Sequence, residues 1–136
     1  MRRTTVFGAV LAAFAAIGVA MVPGAASAAG DPEAGEKVFA KCKICHQIGP
    51  NAKNMVGPEQ NGIDGRKAGV QPGYNYSDAI KNSGVTWNHD TFVKYIENPK
   101  AMIAGSKMIF AGVPKEQDRE DLWAYMSQFK DDGSKK

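Results

Sequence analysis

Two cysteines three positions apart, followed at once by a histidine, dominate the chemistry open to this chain: Cys42-Lys43-Ile44-Cys45-His46. Each thiol can add to one vinyl group of a porphyrin. The spacing lets both sulfurs project to one side from about one helical turn. The next residue then aims an imidazole nitrogen at the iron, a ligand that suits that metal well. This is the attachment pattern of a c-type haem. Three other readings of a Cys-x-x-Cys pair compete with it. A dithiol redox site expects a strand–loop–helix setting, which the neighbouring sequence lacks. A structural zinc site wants two more Cys or His, but the chain has two Cys and its only other His is His89, far downstream. A Cys42–Cys45 disulfide gives His46 no role and leaves the long loops without a core.

The motif must be carried by a helix end. Asp31 is a good N-cap and Pro32 suits the first helical position, so a helix is predicted over 32–43. Gly35 and Phe39 fall on one face of it, and a neighbour can approach closely over the glycine. Residues 47–76 then show little periodicity and much Gly, Pro and Asn. A run of this length fits a small domain only if it packs on something besides chain, such as a buried cofactor. Ser77 is expected to cap a short helix stopping at Gly84. Asn88 is expected to cap a helix through Asn98, with Phe92, Tyr95 and Ile96 at i, i+3, i+4 and Pro99 ending it. A second loop covers 101–112. The last helix is placed at about 115–130, with Leu122, Met126 and Phe129 along one face and Trp123 and Tyr125 beside them. The tail 131–136 is expected to fray. No strand, repeat or low-complexity segment stands out. The fold class is small all-α, with the N- and C-terminal helices packed together.

The ends and the charge bound the function further. Arg2 and Arg3, an uncharged apolar run from Val6 to Val22, the break at Pro23-Gly24 and the small residues Ala26-Ser27-Ala28 read as a secretory signal peptide over 1–28. A retained membrane anchor is the alternative. Cleavage leaves one domain, 29–136, of a size whose core is adequate but not generous. The full chain carries +3 from 17 basic and 14 acidic residues; without Arg2 and Arg3 the balance is +1. That is too weak for generic nucleic-acid binding. No phosphate-binding loop or catalytic triad is visible.

A closed iron centre needs a second axial ligand. Of the six Met, Met126 and Met102 are better read as core filler on or near helices. Met108 lies in the loop Ala104–Gly112 between two helices. From there a thioether can arrive from the side opposite His46. Soft sulfur favours ferrous iron and raises the reduction potential.

A set of ordered motifs now falls into place: Cys42-Lys-Ile-Cys-His46, Val56-Gly-Pro58, Asn61-Gly-Ile-Asp-Gly-Arg-Lys-Ala-Gly69, Gly73-Tyr-Asn-Tyr-Ser77, Lys81-Asn-Ser-Gly-Val-Thr-Trp87, Tyr95-Ile-Glu-Asn-Pro-Lys100 and Lys107-Met-Ile-Phe-Ala-Gly112. With them the chain resembles the class I cytochromes c, close to the mitochondrial type and its exported bacterial relatives, from Gly30 to about Phe129. The resemblance implies a small cytochrome c fold in which loops wrap one haem c attached through Cys42 and Cys45. It implies His46 and Met108 as axial ligands. The Pro58 carbonyl would accept the other imidazole N–H. Arg66, Tyr76 and Trp87 would bind the haem propionates. Tyr95 and Ser106 would make a polar contact near the Met108 sulfur, and Phe110 would cover the haem edge.

The chain departs from the mitochondrial pattern at four places. Ile80 replaces an Asn beside the ligand Met, which predicts a drier network there. Ala104 replaces a loop proline and leaves that loop less stiff, so that Lys107 or Lys100 becomes a candidate to displace Met108 at high pH. Gln60 replaces a Leu of the pocket wall; a polar group near iron is expected to favour the ferric state and lower the potential. Asp64 replaces an apolar or aromatic residue.

Both axial positions being filled, the expected function is one-electron transfer by a soluble, exported, periplasmic carrier and not catalysis. A peroxidase or gas sensor would need an open iron position. Lys41, Lys53, Lys100 and Lys107 fall where the resemblance puts docking lysines, while Met55, Ala101 and Pro114 stand where mitochondrial members often have Lys. A monomer docking acidic faces of membrane redox complexes or periplasmic dehydrogenases is expected, with modest salt dependence. Quinol–cytochrome c reductase, a terminal oxidase or a reaction centre fits that description. His89 is read as a surface or helix-start residue and not as a ligand.

Overall fold

The computed structural model describes residues 29–136; the expected leader lies outside the described residues. Five helices occur in the order α1 (Pro32–Phe39), α2 (Asp78–Lys81), α3 (His89–Glu97), α4 (Pro99–Met102) and α5 (Glu116–Met126). Among the described residues there is no strand, only two isolated bridges, Lys67 with Thr86 and Phe129 with Lys135. The all-α expectation is met.

Local chemistry starts the first four helices, while α5 begins after Lys115 with no side-chain cap. The Asp31 carboxylate accepts from the N–H of Glu33 at 2.8 Å and of Ala34 at 3.4 Å, two donors a helix start leaves without a backbone partner. Ser77 caps α2 through the Ile80 N–H. Asn88 and Thr91 form a reciprocal capping box at α3. Asn98, at the end of α3, caps α4 through the Ala101 N–H.

The helices α1 and α5 pack face to face. A Cβ on Gly35 would collide with the backbone carbonyl of Asp121 and with the Tyr125 side chain. The sequence reading of Gly35 as a point of close approach therefore holds, and α5 is the neighbour. Phe39 and Tyr125 rings meet at 5.5 Å. Asp121 adds a polar tie by accepting from the Asp31 N–H at 2.8 Å and from Gln117 Nε2 at 2.9 Å. Leu122, Trp123, Tyr125, Met126 and Phe129 are all buried, as the periodicity of the last helix predicts. Two charged residues of α5, Arg119 and Asp121, are buried as well. Arg119 donates to the carbonyls of Val113 at 2.9 Å and Pro114 at 2.7 Å, which ties the end of the preceding loop to the helix.

Several boundaries differ from expectation: the short helix after Ser77 ends at Lys81 and not at Gly84, and the last helix ends at Met126 and not near Lys130. The first helix ends at Phe39 and not at Lys43, because i to i+3 bonds from Lys41 N–H to Val38 and from Cys42 N–H to Phe39 tighten the chain into turns. Pro99 does not merely end α3. It opens a new one-turn helix, where its missing N–H costs nothing. The tail does not fray: Lys136 N–H donates to Gln128 at 2.8 Å, Lys130 N–H donates to Ser134 at 2.8 Å, and Gly133 is buried against the Gly49 carbonyl.

Candidate functional site

The turns that leave α1 present the cysteines and the histidine together. The Cys42 carbonyl accepts from the N–H of Cys45 at 3.0 Å and of His46 at 2.8 Å, so the whole motif occupies one turn. Both thiols are free and half-buried. Burial pushes the Cys42 thiol up to about 11, against a downward pull from Lys41 and with a small upward push from Cys45. The thiol therefore stays protonated near neutral pH.

The His46 ring is held from two sides. Its Nδ1 lies 2.7 Å from the Pro58 carbonyl, an acceptor only, so Nδ1 carries the proton when it makes that bond and Nε2 keeps its lone pair. Burial lowers the pKa of the ring, outweighing the Pro58 bond, and the Arg66 charge lowers it further. The ring is thus neutral at neutral pH, the state a metal ligand requires. Gly57 passes so close that a Cβ there would overlap the ring, while its N–H donates to the Cys45 carbonyl at 2.8 Å. Gln60 completes the surroundings with Nε2 at 2.8 Å from Nδ1 and 3.2 Å from the Pro58 oxygen.

From the loop after α4, Met108 contributes a thioether. The Tyr95 hydroxyl donates to Met108 Sδ at 3.3 Å and meets the Ser106 side chain, while burial raises the pKa of the phenol. Ser106 Oγ accepts from the Met108 N–H at 3.2 Å. Tyr95 is itself stacked against Trp87, 4.8 Å between ring centroids. Ile80 is buried and lines the same cavity as Tyr95 and Met108.

Cys42, Cys45, His46, Pro58, Arg66, Tyr76, Trp87, Tyr95, Ser106 and Met108 all line one cavity of about 820 Å³. Its remaining walls are mostly apolar, with Phe39, Ile63, Ile80, Ile96, Phe110 and Leu122 among them. A cavity of this size and polarity suits a large flat apolar cofactor. The donor set is two thiols that could bond the vinyl groups of a haem, and a neutral imidazole and a thioether that could ligate its iron. The residues present fit the group.

The sequence reading missed a polar cluster at one edge of the cavity. Arg66 donates to the Asn61 carbonyl at 2.8 Å, to Gln71 Oε1 at 2.7 Å and to the Glu59 carbonyl at 3.1 Å. It also pairs with the Glu59 carboxylate at 3.8 Å. Glu59 is buried, bonded by the Asn61 N–H at 2.6 Å and by the Gln71 side chain. The expected propionate partner Arg66 is thus already shared with a buried carboxylate. Nothing local in the sequence marks Glu59 off from a surface Glu; its burial is a tertiary fact.

At the mouth stand Lys41 and Lys107, with Lys107 Nζ donating to the Asn75 carbonyl at 3.1 Å. Lys53 and Lys100 are exposed but do not line the cavity. Ile44, Val56 and Ile109 are 79%, 74% and 92% exposed on its rim, an apolar border that the sequence reading overlooked. His89 opens α3 and bridges to α5, with Nε2 2.6 Å from Glu120 and Nδ1 2.7 Å from Asp90.

No protein-family model matches the chain. Individual proteins do. The chain is 60% identical over 107 residues to cytochrome c2 of Rhodoblastus acidophilus, covering 79% of this chain and 100% of that protein. It is 56% identical over 122 residues to cytochrome c-554 of Methylosinus trichosporium, covering 90% and 92%. Among solved structures, cytochrome c2 from Rhodospirillum centenum matches with a TM-score of 0.71 at 39% identity, covering 74% of this chain and 99% of that one. With this likeness along nearly the whole described domain, the chain belongs to the class I bacterial cytochromes c, electron-transfer proteins with a covalently bound haem c and not enzymes.

Proposed function

We propose that the chain is a soluble, exported one-electron carrier whose haem c is attached through Cys42 and Cys45 and axially ligated by His46 Nε2 and Met108 Sδ. One observation carries this reading: a single apolar cavity gathers two thiols, a neutral imidazole whose Nδ1 faces a carbonyl, and a thioether bonded by a tyrosine. When bound, the haem iron supplies a change of one unit of charge between ferric and ferrous states. The chain's own residues do the rest. Pro58 holds the proton on Nδ1 and so aims Nε2. Tyr95 and Ser106 hold the thioether in place. The apolar walls keep water out and limit how much the surroundings rearrange when charge changes. Arg66, Tyr76 and Trp87 would bind the propionates at the polar edge.

Lys41 and Lys107 at the mouth, with Lys53 and Lys100 farther out, would steer the protein to acidic partners, and the exposed Ile44, Val56 and Ile109 would supply the short-range apolar contact. The partners are membrane redox complexes or periplasmic dehydrogenases, met as a monomer after removal of residues 1–28. Periplasmic residence follows from that leader. Partner turnover should fall as ionic strength rises, more gently than for a strongly basic relative.

Maturation in a host that attaches haem, followed by intact-mass measurement after acid extraction, tests attachment. The expected result is one retained haem per chain, abolished by a double Cys42→Ala/Cys45→Ala variant. Complete extraction of haem from the unaltered protein would contradict the proposal.

A further inference from the structure

The neighbours of the buried Glu59 side chain fix its charge. The Asn61 side chain accepts from the Gly49 N–H at 2.8 Å and donates to the Gly49 carbonyl at 3.0 Å. That pairing holds the Asn61 N–H 2.6 Å from Glu59 Oε2. The Glu59 N–H is itself tied to Asn54 Oδ1 at 3.0 Å. On the other side, Arg66 Nη1 donates to Gln71 Oε1 at 2.7 Å. A guanidinium can only donate, so this contact decides which way the Gln71 amide is turned. Gln71 Nε2 then faces Glu59 Oε1 and donates to it.

Both carboxylate oxygens therefore meet donors: a backbone N–H at Oε2 and an amide N–H at Oε1, with Arg66 Nη1 at 3.8 Å. A protonated carboxyl would need an acceptor for its own O–H, and among the described residues none faces either oxygen. Hydrogen bonds to the charged form favour that form. Glu59 is thus an ionised carboxylate behind the cavity wall, paired with Arg66, which does line the cavity. Its charge reaches that wall. At Tyr76, another lining residue, burial raises the pKa most, the Arg66 charge lowers it and the Glu59 charge raises it.

We infer that Glu59 lowers the reduction potential, its negative charge offsetting the Arg66 charge at the polar edge of the cavity. A fixed negative charge favours the ferric state, which carries one more positive charge than the ferrous state. The sign follows from charge alone. Arg66 is also held by the carbonyls of Asn61 at 2.8 Å and Glu59 at 3.1 Å, backbone acceptors that survive a change of the Glu59 side chain. A purely structural role would give the opposite sign. If Glu59 only kept Arg66 in place, losing it would let the cation withdraw, and the potential would fall.

This inference rests on the haem attachment and ligation proposed above, and the experiment separates the two. The haem-loaded protein and its Glu59→Gln and Glu59→Met variants are first compared by intact mass, visible spectrum and carbon monoxide binding, which report attachment and ligation. Their potentials are then measured by equilibrium redox titration at low and at high salt. The expected result is unchanged ligation and a three- to tenfold shift of the equilibrium toward the reduced form in both variants, tenfold being about 59 mV for one electron. Because the charge is buried, the shift should persist at high salt. Met keeps the length of Glu and stands in if the two amides brought face to face by Glu59→Gln disturb folding. The exchange Glu59→Gln/Gln71→Glu supplies a rescue. The new amide donates to the new carboxylate, Arg66 keeps its acceptor, and the negative charge returns. Its potential should fall back to that of the unaltered protein or below. Equal or lower potentials in the single variants, altered ligation in both of them, a shift that vanishes at high salt, or an exchange variant no lower than Glu59→Gln would overturn the inference and leave the ligation standing. Loss of haem or an open iron position in the unaltered protein would instead defeat the proposed function.

Discussion

Gly57 lies against the imidazole of His46 at a separation that no side chain on residue 57 would permit. The glycine therefore has a steric role beyond forming the Gly-Pro turn. It lets the Val56–Pro58 segment pass flat on the ring and deliver the Pro58 carbonyl to Nδ1. Gly57→Ala should push the ring away from Pro58 and lower the stability of the haem-loaded protein by about 1–3 kcal/mol, the usual scale of overpacking. The ferric visible spectrum should show weakened ligation. Urea unfolding with an unchanged midpoint, together with an unchanged spectrum, would contradict this.

The loop that carries Met108 offers a second test. Ile103, with φ −129° and ψ 85°, lies outside the α region that a following proline disfavours. Among the described residues, the Ala104 N–H donates to no backbone carbonyl. Ala104→Pro should therefore fit without loss of a backbone bond and stabilise the loop by about 0.4–1 kcal/mol through the unfolded chain. If Lys107 or Lys100 replaces Met108 at high pH, the midpoint of that exchange should rise by about half a pH unit, since one unit is about 1.4 kcal/mol. An alkaline titration of the ferric protein, followed by the methionine–iron absorption band, reads it. A midpoint that does not move would show that loop stiffness is not what holds Met108.

His89 ties α3 to α5 through Glu120, and its bonds to Glu120 and Asp90 raise its pKa above the ordinary 6.5. The folded state thus binds this proton more tightly than the unfolded state does. The contribution is complete below the unfolded pKa and is lost as pH rises through the raised folded value. The side chain is half exposed, so the contribution is under about 1 kcal/mol. As pH rises above the ordinary 6.5, His89→Gln should flatten part of the fall in urea midpoint. An identical slope in the two proteins would refute the linkage.

The chemistry of this protein was legible where it depends on neighbours in sequence. The Cys42–His46 spacing, the caps at Asp31, Ser77 and Asn88, and the apolar face of α5 are all local patterns, and the structure keeps them. Met108 could be singled out because a lone Met in a Gly-bounded loop has no helix face to fill. What escaped depends on distant partners. Glu59 is buried only because Arg66, Asn61 and Gln71 close around it. The tail is ordered only because Gly133 meets Gly49, 84 positions earlier in the chain. The premature end of α1 at Phe39 reflects turns that close on Val38 and Phe39 and gather both cysteines into the cavity wall.

In the proposed ligation His46 and Met108 would close both faces of the iron. Carbon monoxide added to the reduced haem-loaded protein tests it most directly, because the gas binds ferrous iron only where a position is open or easily vacated. The unaltered protein should show no change in its visible spectrum, and Met108→Ala should bind the gas readily. Rapid, complete binding to the unaltered protein would contradict it and would point to an open-site ligand binder.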